Sequence, residues 1–270
     1  AVALLESLTS GFFSVTAART IEAAITSSTG HSGGGVVRCS HATGTVTITG
    51  AVTAGPSVGV AASGVGGNMA ITGNVSGGSG ANSYGYHISA AIGTSTIIGN
   101  ISGGGGSGSY GVYANAACGA ITVTGDVAGG SAGHGIFNNN AAVTVTVDGN
   151  STGGSGVSIY GVGNAGNGTV IVNGNSTGGS ASLAHGTNNA SGGTARVTTA
   201  IGNGYGPLGG HSAAAAGLAG TNNAAAITTF KAIEFGAYGA PPVFGCAWCE
   251  DSAGNNTAKL YHTSSTFVVL

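Results

Sequence analysis

Charge is almost missing from this chain: five Lys and Arg and seven Asp and Glu occur in 270 residues, for a formal net charge of −2. A phosphate backbone is neutralised by clustered cationic side chains, so nucleic acid is excluded as a partner. Long hydrophobic runs are missing as well, which removes a membrane-spanning helix. The segment Ala1–Phe13 lacks the basic start and long apolar stretch of a secretory signal, so membrane insertion is not expected. Cysteine is limited to Cys39, Cys118, Cys246 and Cys249, too few and too scattered for a disulfide framework. The chain opens on Ala1 and stops on the apolar run Phe267–Leu270, and it is expected to be a fragment or a processed chain.

Glycine, by contrast, fills 56 positions. An excess of that size without a Gly-X-Y period points by default to disorder. Disorder needs low hydrophobicity or high net charge, whereas this chain is 41% hydrophobic and 4% charged. Ordered structure must therefore bury the apolar residues.

Three markers recur in step. A glycine after a β-branched run stands at 73, 99, 125, 149, 174 and 202, at intervals of 26, 26, 24, 25 and 28. A second series, Gly85, Gly111, Gly135, Gly161 and Gly186, recurs at 26, 24, 26 and 25, and Gly-Gly pairs begin at 77, 103, 129, 153 and 178. The strand TVTITG at 45–50 extends the series backwards.

Residues before the first glycine alternate with the period of a half-buried strand. Two positions before it stand Ile48, Ile71, Ile97, Val123, Val147, Val172 and Ala200, and four before it Val46, Met69, Ser95, Ile121, Val145, Val170 and Thr198. These columns are expected to face inward, with the Thr-rich positions between them facing solvent. A strand of this length cannot bury its inner face within one repeat, whereas stacked repeats bond to each other across about 4.8 Å and share one core. The pattern predicts an all-β fold: a right-handed parallel β-helix, or β-solenoid, of about seven coils of roughly 25 residues. Each coil would carry one long strand and a shorter second segment. The division expected is an irregular opening coil over 1–44, solenoid repeats over 45–226 and a small C-terminal β-meander cap or docking region over 227–270.

Directly after the first glycine comes the column Asn74, Asn100, Asp126, Asn150, Asn175 and Asn203. Asn tolerates corner backbone, and stacked amides can bond from coil to coil, so this column is expected to be a structural ladder. Asn74, Asn100, Asn150, Asn167, Asn175 and Asn189 also match the Asn-X-Ser/Thr acceptor pattern, which an Asn- and Thr-rich chain meets by chance. Just before the second glycine series stand Tyr84, Tyr110, His134, Tyr160 and His185. If exposed, this ring column is a candidate ligand-binding surface for sugars or proteins; if internal, it fills a corner.

Catalytic residues are not found. Asp126 and Asp148 are the carboxylates of the segment 45–195 and have no Arg, Lys or Glu nearby in sequence, whereas glycan-cleaving sites need paired carboxylates. The CAWC motif at Cys246–Cys249 could supply half a zinc site, with His262, Glu250 or Asp251 as further ligands. No second C-x-x-C exists, so neither a metal nor a cofactor is expected. The Thr columns are similar to the ice-binding face of β-solenoid antifreeze proteins, but Ala70, Ile98, Ile171 and Asn173 interrupt the lattice.

The repeat, for example ITVTGDVAGGSAGHGIFNNNAAVTVTVDGNSTGGS at 121–155, resembles Gly-rich β-helix repeats in structural proteins of tailed bacteriophages. It also looks like passenger segments of bacterial surface adhesins. The phage resemblance covers about 45–205 and implies a virion fibre, spike or decoration subunit, commonly trimeric, mounted by one end on other virion proteins and facing a host surface glycan. The implied location is the virion surface or the extracellular space. Enzymatic spikes of that family carry carboxylate clusters that are absent here, and the adhesin resemblance implies a cell-surface filament instead.

Overall fold

A computed structural model describes residues 13–27, 35–64, 66–166, 168–180, 184–189 and 193–201, together with the backbone course of the strands beyond them. Every regular element among the described residues is a β-strand. The strands stack in parallel as a β-solenoid of about seven turns.

Each turn has three sides. The first consists of short strands, among them Val58–Ala62, Tyr86–Ile88, Val112–Ala114, Ile136–Asn138, Val162–Asn164 and Thr187–Asn189, in one nine-stranded parallel sheet. The second carries the long strands Arg19–Glu22, Thr45–Thr49, Asn68–Thr72, Ile92–Ile98, Cys118–Thr124, Thr144–Asp148, Thr169–Thr177 and Thr194–Ile201. The third, which the sequence pattern did not reveal, consists of two-residue strands such as Val52–Thr53, Val75–Ser76, Ile101–Ser102 and Val127–Ala128. Two residues are too few to display a period, although the apolar residue two places after Gly50, Gly73, Gly99 and Gly125 is a visible trace, replaced by Ser151 and Ser176 in the next two turns.

The core is a set of columns along the axis. Val46, Met69, Ser95, Ile121, Val145 and Val170 form one and Ile48, Ile71, Ile97, Val123, Val147 and Val172 another, all at most 2% exposed. Val52, Val75, Ile101 and Val127 form a third, and the register pairs each residue with its equivalent one turn away. Full burial of a Val or Ile side chain stabilises by about 1.5–3 kcal/mol, and it is the stacking of turns that supplies the second wall.

Corner glycines have a specific cause. Gly50, Gly73, Gly99 and Gly125 adopt φ of 142° to 146°, where an L side chain is strained. A Cβ on Gly99 would also run into the carbonyl oxygen of Gly73 one turn below, and the same holds for Gly125 above Gly99. Turns stack closely here because no side chain stands between their backbones.

The equivalence breaks at Gly202. Val170 pairs with Ala195 and Val172 with Val197, and an irregularity then pairs Asn175 with Thr199 and Ser176 with Ala200. The inner residues of that turn are therefore Ala195 and Val197, not Thr198 and Ala200. Ala200 is buried, but in the third-side column above Ser176. Strand Thr194–Ile201 passes the corner one residue shorter than its neighbour, so the 28-residue interval to Gly202 reflected a lost marker rather than a longer turn.

Towards the C-terminus, Phe244–Glu250, Asn256–His262 and Phe267–Val269 form a three-stranded antiparallel sheet in chain order.

Candidate functional site

An aromatic strip occupies the first side. Tyr86 and Ile88 point into the core, so the alternate position, His87, points outward, and the same alternation places Tyr113 and Phe137 outside. The residue before each glycine of the second series, Tyr84 and its equivalents, lies beside them. Ring centroids along that column are 5.4 Å apart for Tyr84–Tyr110, 5.1 Å for Tyr110–His134, 4.7 Å for His134–Tyr160 and 5.7 Å for Tyr160–His185. All four pairs are stacked, with interplanar angles between 1° and 20°.

A second column, His87–Tyr113–Phe137, runs parallel at centroid spacings of 5.0 and 5.8 Å. It was legible as a ring three residues after the first in YGYH, YGVY and HGIF, but it was not singled out. Rings of the two columns meet edge-on or tilted, for example Tyr84 with His87 at 63°. Within each column the faces are occupied by other rings, so the half-buried strip presents mainly ring edges to solvent, while the His134 ring is buried and His87 Nε2 is closed off.

The electrostatics follow from partial burial in an uncharged setting. Burial holds His87 and His134 down at about 4. The Tyr160 N–H donates to His134 Nδ1 at 2.9 Å, which requires that nitrogen to be unprotonated. Burial, and then the neighbouring phenols Tyr113 and Tyr110, push Tyr84 up to about 12. Tyr110 and Tyr113 are raised for the same first reason.

On the corner between the second and third sides, the Asn column is bonded from turn to turn. Asn74 Oδ1 accepts the Asn100 N–H at 2.9 Å, and Asn100 Oδ1 accepts the Asp126 N–H at 2.9 Å. Asp126 Oδ1 accepts both N–H and Nδ2 of Asn150 at 2.7 and 3.1 Å, and Asn150 Oδ1 accepts the Asn175 N–H at 3.0 Å. The bonds run mainly from side chain to main chain. Asn203 lies outside the described residues, and the register carries the column from Asn175 to Thr199 instead.

Asp148 accepts from Asn173 Nδ2 at 2.6 Å, so both carboxylates of the repeat region are engaged by amides of the next turn. Cys39 and Cys118 are free and buried, and burial raises both thiols, Cys39 to about 12. Such thiols are unreactive. CAWC lies in the strand Phe244–Glu250. Asn167 and His31 are outside the described residues. Asn189 is fully buried and belongs to a ladder that sequence reasoning missed, Asn138–Asn164–Asn189, with amide-to-amide bonds of 2.9 and 2.7 Å.

The fold makes this chain an all-β parallel solenoid whose outer surface carries an ordered aromatic strip. Comparison with known protein families, curated proteins and solved structures finds no match in any of the three.

Proposed function

We propose that the chain is a structural virion protein of a tailed bacteriophage, a fibre, spike or decoration appendage that presents its lateral surface for host attachment. The aromatic strip carries this reading. Eight rings over five successive turns are fixed by stacking on a scaffold whose hydrogen bonds run along its length, and a rigid, half-buried aromatic strip of this kind suits recognition. Low charge fits a partner without strong charge of its own, such as a host surface glycan. Attachment to other virion proteins through 227–270, and assembly as a trimer, belong to the same proposal.

Immunogold electron microscopy of particles from the natural source tests it. Label at a fixed place on phage particles is the expected result. Label on free filaments or on the cell wall would overturn the appendage reading and favour a surface adhesin.

A further inference from the structure

Three tyrosines of the aromatic strip touch one another. Ring centroids are 4.8 Å apart for Tyr84 and Tyr113, 5.3 Å for Tyr110 and Tyr113, and 5.4 Å for Tyr84 and Tyr110. All three residues are half-buried, so part of each is open to solvent. Burial, followed by the Tyr113 and Tyr110 phenols, raises the Tyr84 phenol, so the hydroxyl ends interact as well as the rings. The other tyrosines of the solenoid lack such company. Tyr160 stacks between His134 and His185, and Tyr86 is fully buried with its hydroxyl on Ser95.

The three contacts differ in what they permit. Oxidised phenols join through ring carbons next to the oxygen, edge to edge, and a face-to-face pair must unstack before it can do so. Tyr84 and Tyr110 lie face to face, within 16° of parallel. Tyr84 and Tyr113 are inclined at 59°, and theirs is the shortest separation of the three. This pair also bridges two turns: Tyr113 is in register with His87 on the adjacent parallel strand, and Tyr84 stands two residues before the start of that strand at Tyr86. Among the described residues no disulfide ties one turn to another, since Cys39 and Cys118 are free.

We propose that Tyr84 and Tyr113 form an oxidative cross-linking site, where a haem peroxidase acting with hydrogen peroxide makes a dityrosine staple between neighbouring turns. Hydrogen peroxide takes one electron and one proton from each phenol and leaves as two water molecules. The two phenoxyl radicals then form a carbon–carbon bond between ring positions next to the oxygens. The hydrogens at those positions move to oxygen, which restores both phenols. Turns of a stacked-repeat chain can open locally, and a bond of this kind holds two of them together. The site goes beyond the attachment reading and needs nothing from it.

Addition of peroxidase and hydrogen peroxide to the dilute whole chain tests the site, with dityrosine fluorescence for yield and peptide mass mapping for position. A link between the Tyr84 and Tyr113 peptides, in a product that still runs as a single chain, is expected. Tyr84→Phe and Tyr113→Phe keep the ring but remove the coupling phenol, and each should abolish that link. Tyr110→Phe and Tyr160→Phe should leave it in place. No dityrosine, links found only between chains or at other tyrosines, or the same Tyr84–Tyr113 yield from the chain unfolded in urea, overturns the site. Amide exchange over residues 86–114 should slow in the linked chain, and unchanged exchange there overturns the staple.

Discussion

Tyr86 Oη and Ser95 Oγ lie 2.7 Å apart in the interior of the solenoid, both closed to solvent. The bond explains why a serine interrupts a column otherwise made of Val, Met and Ile. Burial raises the Tyr86 phenol far above its usual range, with the Ser95 bond opposing, so it is neutral and needs a partner. Ser95→Ala should destabilise by about 1–3 kcal/mol, because the phenol stays behind unsatisfied. Tyr86→Phe combined with Ser95→Ala should cost clearly less than the sum of the two single changes. Urea unfolding of the four proteins closes this cycle, and simple additivity would show that the bond contributes nothing.

Two glycines of the same turn, Gly99 and Gly105, should respond oppositely to alanine. Gly99 sits at φ 143° with its Cα against the Gly73 carbonyl, so Gly99→Ala should destabilise by roughly 2 kcal/mol or more. At Gly105 an added Cβ would meet only Ser79 Cα, at 4.0 Å. Gly105→Ala should be neutral, or stabilising by about 0.4–1 kcal/mol through the unfolded chain. Equal melting shifts for the two variants would contradict the close-stacking account of the corner.

Stability should fall in mild acid. His87 and His134 titrate at about 4 in the folded chain against an ordinary 6.5, so the unfolded state binds their protons first. Their contribution is fully present above pH 6.5 and is lost as pH falls towards 4. At 1.36 kcal/mol per unit it amounts to at most about 3 kcal/mol for each ring. In alkali the phenols act in the opposite sense: Tyr84 ionises at about 12 rather than 10, so its contribution holds below pH 10 and is lost above. Melting curves between pH 4 and 7 for the parent and for His134→Phe are the check, and the variant should show a shallower acid slope.

The solenoid was legible because its markers are spaced by one turn and because the long strand alternates over five or more residues. Val46, Ile48 and their equivalents could be assigned to the core from that alternation alone. Features shorter than the period stayed hidden: the two-residue third side, and the corner that loses a residue between Val197 and Thr199. The first aromatic column stood out because Tyr84, Tyr110 and Tyr160 keep constant phase with the glycines. That one ring per turn at constant phase would stack was legible from the spacing, and the rings do stack; whether they lie open to solvent depends on side-chain rotation, which no spacing reveals. Asn138, Asn164 and Asn189 were overlooked for a different reason, since Asn in a Gly-rich chain reads as an exposed turn residue.

That buried ladder gives the last prediction. Asn164 is 1% exposed and stands between Asn138, whose Nδ2 donates to its Oδ1, and Asn189, whose Oδ1 accepts from its Nδ2. Its Nδ2 also donates to the Gly168 carbonyl at 2.8 Å, and Asn189 Nδ2 donates likewise to the Gly193 carbonyl at 2.9 Å. The ladder therefore bonds one turn to the next and holds the bend that leads into each long strand. Asn164→Leu would strip partners from both buried neighbours and should cost about 3 kcal/mol or more, since unsatisfied buried groups add to the lost bonds. Asn164→Asp should be as damaging, because a carboxylate cannot donate to Gly168 or to Asn189. In a stacked-repeat protein such damage stays near its origin. Amide exchange should accelerate first around residues 138–194, while the turns at 46–124 keep their protection. Uniform loss of protection along the whole chain would show instead that the solenoid unfolds as a single unit.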